Sequence, residues 1–168
     1  MPKKLPCAVS EEDFVKLIDS TKKDEHKLAF LLGYGAGLRV SEIIKLQPQD
    51  VSFKEKKIFI HQGKGGKDRI VPMPKGFKEK HIEMIPFKIG VRALEIAFIN
   101  AIKRAGLDKI KPDLHFHSLR HGFGSQLAKK GVPIHHIRTL MGHSNISTTN
   151  VYLELNPNEA IKSYEDKF

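Results

Sequence analysis

The 168-residue chain holds a single cysteine, Cys7, no tryptophan, and no apolar run of bilayer-spanning length. One thiol excludes an internal disulfide and any zinc centre built on paired cysteines. The short apolar runs exclude a membrane-spanning helix, and the opening Met1-Pro2-Lys3-Lys4-Leu5-Pro6 lacks the hydrophobic stretch of a secretory signal. A soluble, cytoplasmic protein is the expectation. Acid is also in short supply: 19 Asp plus Glu face 29 Lys plus Arg, for a formal charge of +10. That excess on about one domain's length favours a polyanionic partner, nucleic acid ahead of an anionic membrane surface. The 40% hydrophobic content is ordinary for a globular chain and excludes wholesale disorder. No internal repeat or low-complexity segment is present.

Helical periodicity dominates the rest. Ser10 with Glu11, Glu12 and Asp13 reads as a capped helix start, and Phe14, Leu17 and Ile18 follow on one face. Further helices are predicted over His26 to Tyr34, Ser41 to Leu46 and Val91 to Ala105, the last with Gly106 at its C-terminal cap. The final third predicts four more: Ser118 to Lys130, Pro133 to Met141, Ile146 to Leu155, and Asn158 to Lys167. Strand-forming runs are confined to Val51 to Phe53, Lys57 to His61 and Arg69 to Val71. The last two flank the loop Gln62-Gly63-Lys64-Gly65-Gly66-Lys67-Asp68, which reads as a hairpin turn of glycines and cations. The expected fold class is α+β, mainly α, with one small antiparallel sheet. The segment from Met73 to Gly90, with Lys75, Lys78, Lys80 and Lys88, matches no pattern.

Three islands set cations beside histidine or tyrosine: Gly37-Leu38-Arg39-Val40-Ser41-Glu42, His117-Ser118-Leu119-Arg120-His121, and Leu140-Met141-Gly142-His143-Ser144 followed by Thr148-Thr149-Asn150-Val151-Tyr152. Singly, each residue has an ordinary reading. Arg39 is a surface ion-pair partner, the histidines are solvated or satisfied in the core, and Tyr152 is a core tyrosine with its hydroxyl at the surface. His117 and His121, at i and i+4, share a helix face as a zinc pair would, but no Glu follows His117 and no cysteine lies near. The Asn145-Ile146-Ser147 sequon carries no meaning without a secretory signal.

With the Gly-Lys-Gly loop, the three islands form four motifs whose order and spacing closely resemble the active site of the tyrosine recombinase (phage integrase) family, in the Xer-like style. The resemblance runs from about Ser10 to Tyr152. It implies a helical catalytic domain with a three-stranded antiparallel sheet, spanning 1–168 and ending in a tail helix over 156–168. It implies no cofactor and no metal. Arg39 and Arg120 would clamp the scissile phosphate, and Tyr152 would be the nucleophile that forms a 3′-phosphotyrosine. Lys64, directly after the first glycine of the hairpin, would protonate the leaving 5′ oxygen, with Lys67 its competitor for that role. His117 would assist proton transfer and His143 would donate a hydrogen bond to the phosphate. Glu42 would support the site by orienting a histidine or arginine.

The implied partner is double-stranded DNA, with self-association to a tetramer in the synapse and an expected nucleoid association; the C-terminal tail either packs on its own domain or, as the resemblance implies, docks on a neighbouring protomer. Full-length members carry an N-terminal helical clamp that this sequence is expected to lack, which would leave DNA affinity weak and steeply salt-dependent. Two other readings stay open at this point: a DNA-binding accessory module that does not cut, and a metal-dependent nuclease, which a chelator would silence.

Overall fold

The computed structural model describes residues 7–61, 67–142 and 157–168. The first helix, α1 (Glu11–Asp19), is fixed by a reciprocal cap: the Asp13 N–H donates to Ser10 Oγ at 3.2 Å, and the Ser10 N–H donates to the Asp13 carboxylate at 2.9 Å. Ahead of it, buried Val9 donates its N–H to the carbonyl of Ser118, 3.1 Å away. Helix α2 (Asp24–Gly35) starts two residues earlier than the apolar pattern suggested, because Asp24 and Glu25 suit the positive end of the helix dipole. A turn then leads into α3 (Val40–Lys45) and a 3₁₀ turn over Pro48–Asp50.

Three short strands follow, β1 (Val51–Ser52), β2 (Lys57–Ile60) and β3 (Arg69–Pro72), all antiparallel in the order β1-β2-β3. Ile58 pairs with Val51 on one side and Val71 on the other, and Ile60 pairs with Arg69. Pro72 is tolerated at the end of β3 because β3 is an edge strand. The unassigned segment after it holds a second 3₁₀ stretch, Glu79–Met84, with no residue of that stretch buried. It is followed by α4 (Val91–Arg104), a 3₁₀ turn at Leu107–Lys109, α5 (His117–Lys129), α6 (Ile134–Met141) and α7 (Pro157–Glu165). The helix expected over 146–155 lies outside the described residues. Among those described, no helix is long and apolar enough to cross a membrane.

Two hydrophobic clusters hold these elements. The larger joins α1 to α4, the sheet and the start of α5, around Phe30, Phe98 and Phe116. Their rings meet edge-on, with centroids 5.5 to 5.9 Å apart. The smaller joins the rest of α5 to α6 and α7 through Phe123, Leu127, Leu140, Ile161 and Tyr164. The tail helix buries an apolar stripe against its own domain: Ala160, Ile161 and Tyr164 are covered, and Phe168 stacks on Tyr164 at 4.5 Å. The architecture is the expected mainly helical one with a small three-stranded sheet.

Candidate active site

The site begins where α2 ends. Gly37 takes a left-handed conformation (φ 67°), and a Cβ there would come within 2.5 Å of the Phe123 ring, so only glycine makes this turn. The turn delivers Arg39 to the position just before α3. Its backbone N–H donates to Glu42 Oε2 at 2.7 Å, and its Nη1 donates to Glu42 Oε1 at 3.0 Å. A third residue completes the arrangement. Arg69, from the start of β3, grips the same carboxylate with both ends of its fork, Nη1 to Oε1 at 2.6 Å and Nη2 to Oε2 at 2.8 Å. Its Nε donates to the carbonyl of Leu140 in α6 at 3.1 Å.

Arg120, from the first turn of α5, lies beneath, with 1% of its surface exposed. It donates from Nη1 to the carbonyl of Gly37 at 2.6 Å and from Nη2 to the carbonyl of Met141. Three guanidinium groups thus gather around one carboxylate. Burial alone would raise the Glu42 carboxyl, but the hydrogen bonds and charge of Arg69, then those of Arg39, outweigh it and hold the group at about 2. Burial, followed by the charges of Arg39 and Arg69, lowers Arg120 to about 9, with Glu42 opposing; it remains a cation at neutral pH. The cluster carries more positive charge than its own carboxylate cancels.

His117 opens α5 and lines, with Arg39, Leu38 and Ser41, a cleft of about 500 Å³. Its outer edge is exposed, but its inner side is crowded. That desolvation, then the neighbouring His121, Arg120, His115 and Arg39, pushes the ring down to about 4, so it is neutral at physiological pH. The His121 ring meets it edge-on at 4.7 Å and is lowered by burial in the same sense. On the other side of Arg39, a second cleft of about 700 Å³ runs past Lys45 and Gln47 to His61. His61 sits between two carboxylates, Nε2 at 3.2 Å from Asp50, just ahead of β1, and Nδ1 at 3.4 Å from Asp68, just ahead of β3. Among the described residues, no group of three or more His, Cys, Asp and Glu side chains is arranged to hold a metal ion.

Of the residues expected to act, the fold gathers Arg39, Glu42, His117 and Arg120. Lys64, His143 and Tyr152 lie outside the described residues. Arg69 was not anticipated. The signal for it lay in the strand pattern, since Arg69 and Val71 share a face of β3 and Val71 is fully buried. An arginine on a buried strand face requires a carboxylate.

The phage integrase family model matches residues 8–95 and 88–159 of this chain. Tyrosine recombinase XerA of Thermococcus onnurineus (strain NA1) is 35% identical over 185 residues, covering 98% of this chain and 64% of the relative. The crystal structure of a XerA recombinase superposes with a TM-score of 0.69 at 26% identity, covering 98% of this chain and 66% of that one. The catalytic domain of bacteriophage HP1 integrase superposes with a TM-score of 0.63 at 25% identity, covering 95% and 87%. The chain therefore spans about two thirds or less of the XerA chains it resembles.

Proposed function

The chain belongs to the phage integrase family, and on that premise we propose that it cuts and rejoins DNA strands for site-specific recombination or for integration and excision. The observation that carries this reading is the guanidinium cluster of Arg39, Arg69 and Arg120 around the single carboxylate of Glu42, beside a neutral His117. Preorganised, partly desolvated positive charge of this kind suits a phosphodiester passing through a more highly charged transition state.

In the proposed step, the Tyr152 oxygen attacks phosphorus, the bond to the 5′ oxygen breaks, and a 3′-phosphotyrosine forms. His117 takes up the phenolic proton, and Lys64 delivers one to the departing 5′ oxygen. Arg39 engages the non-bridging oxygens, Arg120 adds charge from below, and His143 donates a hydrogen bond. Religation is the same sequence in reverse, with the 5′ hydroxyl as nucleophile, so the phosphodiester bond energy is conserved in the adduct. The formal charge of +10 on the chain supplies the sequence-independent attraction to the DNA backbone.

The wider assembly is part of the same proposal. Lambda integrase, which shares the fold, has been solved as a dimer on a core site and as a tetramer on a Holliday junction. We propose self-association on DNA for this chain, with the tail leaving its own domain to dock on a neighbouring protomer. The apolar stripe of α7 (Ala160, Ile161, Tyr164) is the surface such an exchange would transfer, from its own α6 to the same place on a neighbour.

The test is a nicked suicide DNA substrate followed by a denaturing gel. A covalent adduct is expected from the unmodified chain, in excess EDTA as well, and none from Tyr152→Phe. An adduct that persists in Tyr152→Phe overturns the nucleophile, and activity that a chelator abolishes and magnesium restores favours a metal-dependent nuclease. Deleting Asn158 to Phe168 is expected to weaken multi-protomer assembly on a two-site substrate more than folding. Normal assembly by the truncated chain excludes tail exchange.

A further inference from the structure

Arg69 lies outside the motifs that carry the family resemblance, yet it is tied into the site at three points. Its fork closes on both oxygens of Glu42, its Nε holds the Leu140 carbonyl, and its aliphatic stem fills the space over Gly142, where a Cβ would come within 2.8 Å of Arg69 Cδ. The Arg69 and Glu42 side chains are 8% and 7% exposed, against 19% for Arg39. The more accessible member of the trio is the one turned toward the clefts.

Charge counting gives Arg69 a purpose. Arg39 and Glu42 alone would form a neutral ion pair at 3.0 Å, and an incoming anion would meet a cation already cancelled. A second buried guanidinium on the same carboxylate changes this balance. Glu42 then serves Arg69 first, through two short bonds, and Arg39 is held in place by one oxygen and its own backbone N–H. We propose that Arg69 is the counter-ion of Glu42 and thereby a positioning residue: it lets Glu42 orient Arg39 without neutralising it, so that the charge of Arg39 is available to a phosphodiester oxygen. This rests on the DNA-cleaving reading above.

A purely structural role is the competing explanation, because buried ion pairs hold elements together and are often replaceable by apolar side chains. The two differ in what happens when Glu42 also loses its charge. Arg69→Met keeps the volume but leaves Glu42 to cancel Arg39, and single-turnover adduct formation is expected to fall by about tenfold to a hundredfold, as for other groups that orient a reacting residue. Arg69→Lys, which keeps the charge without the fork, is expected to recover part of this. Adding Glu42→Gln to Arg69→Met is expected to restore most of the rate, since an amide cancels nothing. A structural role predicts that the double variant recovers stability, through loss of the uncompensated buried carboxylate, but neither the rate per folded molecule nor the phosphate response.

Stabilisation of the fold by inorganic phosphate at constant ionic strength provides a second readout, independent of cleavage. Raised melting temperature is expected in the unmodified chain, loss in Arg69→Met, and recovery in the double variant. Where Arg69→Met fails to fold, Arg69→Lys with and without Glu42→Gln makes the same comparison. Full rate and full phosphate response in Arg69→Met, or no recovery in the double variant, overturns the proposal. Absence of any adduct in the unmodified chain overturns the DNA-cleaving reading instead, and the phosphate series still decides the role of Arg69.

Discussion

The two hydrophobic clusters are built differently. The larger is closed by three phenylalanine rings, Phe30 of α2, Phe98 of α4 and Phe116 just ahead of α5, all nearly or fully buried. The smaller leans on a terminal helix, and its outer seam is polar. Lys57 Nζ donates to Asn158 Oδ1 at 3.2 Å, Ser163 Oγ pairs with His136 Nδ1 at 2.7 Å, and Lys130 Nζ stands 3.5 Å above the Phe168 ring. One cluster is closed by interior rings, the other by a last helix held along a polar seam.

The candidate site lies on the boundary between them, and two arginines stitch it. Arg120 holds the carbonyls of Gly37, beside the first cluster, and Met141, within the second. Arg69 does the same between Glu42 and Leu140. The lesson is that the charge of the site and the junction of the fold are maintained by the same groups.

The sharpest break in this comparison is Phe30→Ala. Removing the central ring of the first cluster is expected to cost about 3–5 kcal/mol of global stability by urea unfolding, and to release both clusters together. A loss confined to one helix would show that the first cluster is not cooperative. Next comes Arg39→Ala, which touches the boundary and neither interior. It is expected to lose about 2–4 kcal/mol of transition-state stabilisation in single-turnover cleavage while leaving the urea midpoint nearly unchanged. Equal losses in both measurements would place Arg39 among the structural stitches.

Ile161→Ala should cost about 2 kcal/mol, at the low end for such truncations because a terminal helix relaxes readily. Amide exchange is expected to quicken in α6 and α7 and to stay slow in α2 and α4. Uniform quickening would make the two clusters one unit. Acid should act more weakly and at the boundary. The folded state resists protonating His117, held at about 4 against an ordinary 6.5, whereas the unfolded chain accepts the proton. Stability is therefore lost as pH falls from about 6.5 toward 4, and His117→Asn is expected to flatten that part of the urea-midpoint profile. A further loss below about 4.5, running toward 2, belongs to Glu42 and should persist in that variant.

Much of this was legible beforehand because the relevant signals are local. Capping acids, helical apolar spacing and the strand runs marked the elements to within a residue or two, and two of the four motifs fell on the α2–α3 turn and the first turn of α5. What escaped depends on contacts between distant segments. Arg69 looked like one more strand residue, because its partner Glu42 is 27 positions away and its third ligand, the Leu140 carbonyl, is 71 away. The 3₁₀ stretch at Glu79–Met84 escaped for the opposite reason: no residue of it is buried, so no periodicity was imposed on its sequence. The burial of Arg120 was also invisible, since an arginine in a motif gives no hint that carbonyls from two elements enclose it.

The bond between Val9 and Ser118 gives the molecule a mechanical property. Ser118 is fully buried in the first turn of α5, between His117 and Arg120, and the Val9 N–H is fastened to its carbonyl. Tension applied to the chain just ahead of Val9 is delivered to that turn before it reaches α1. The start of the described chain is thereby fastened to the turn that presents His117 and Arg120.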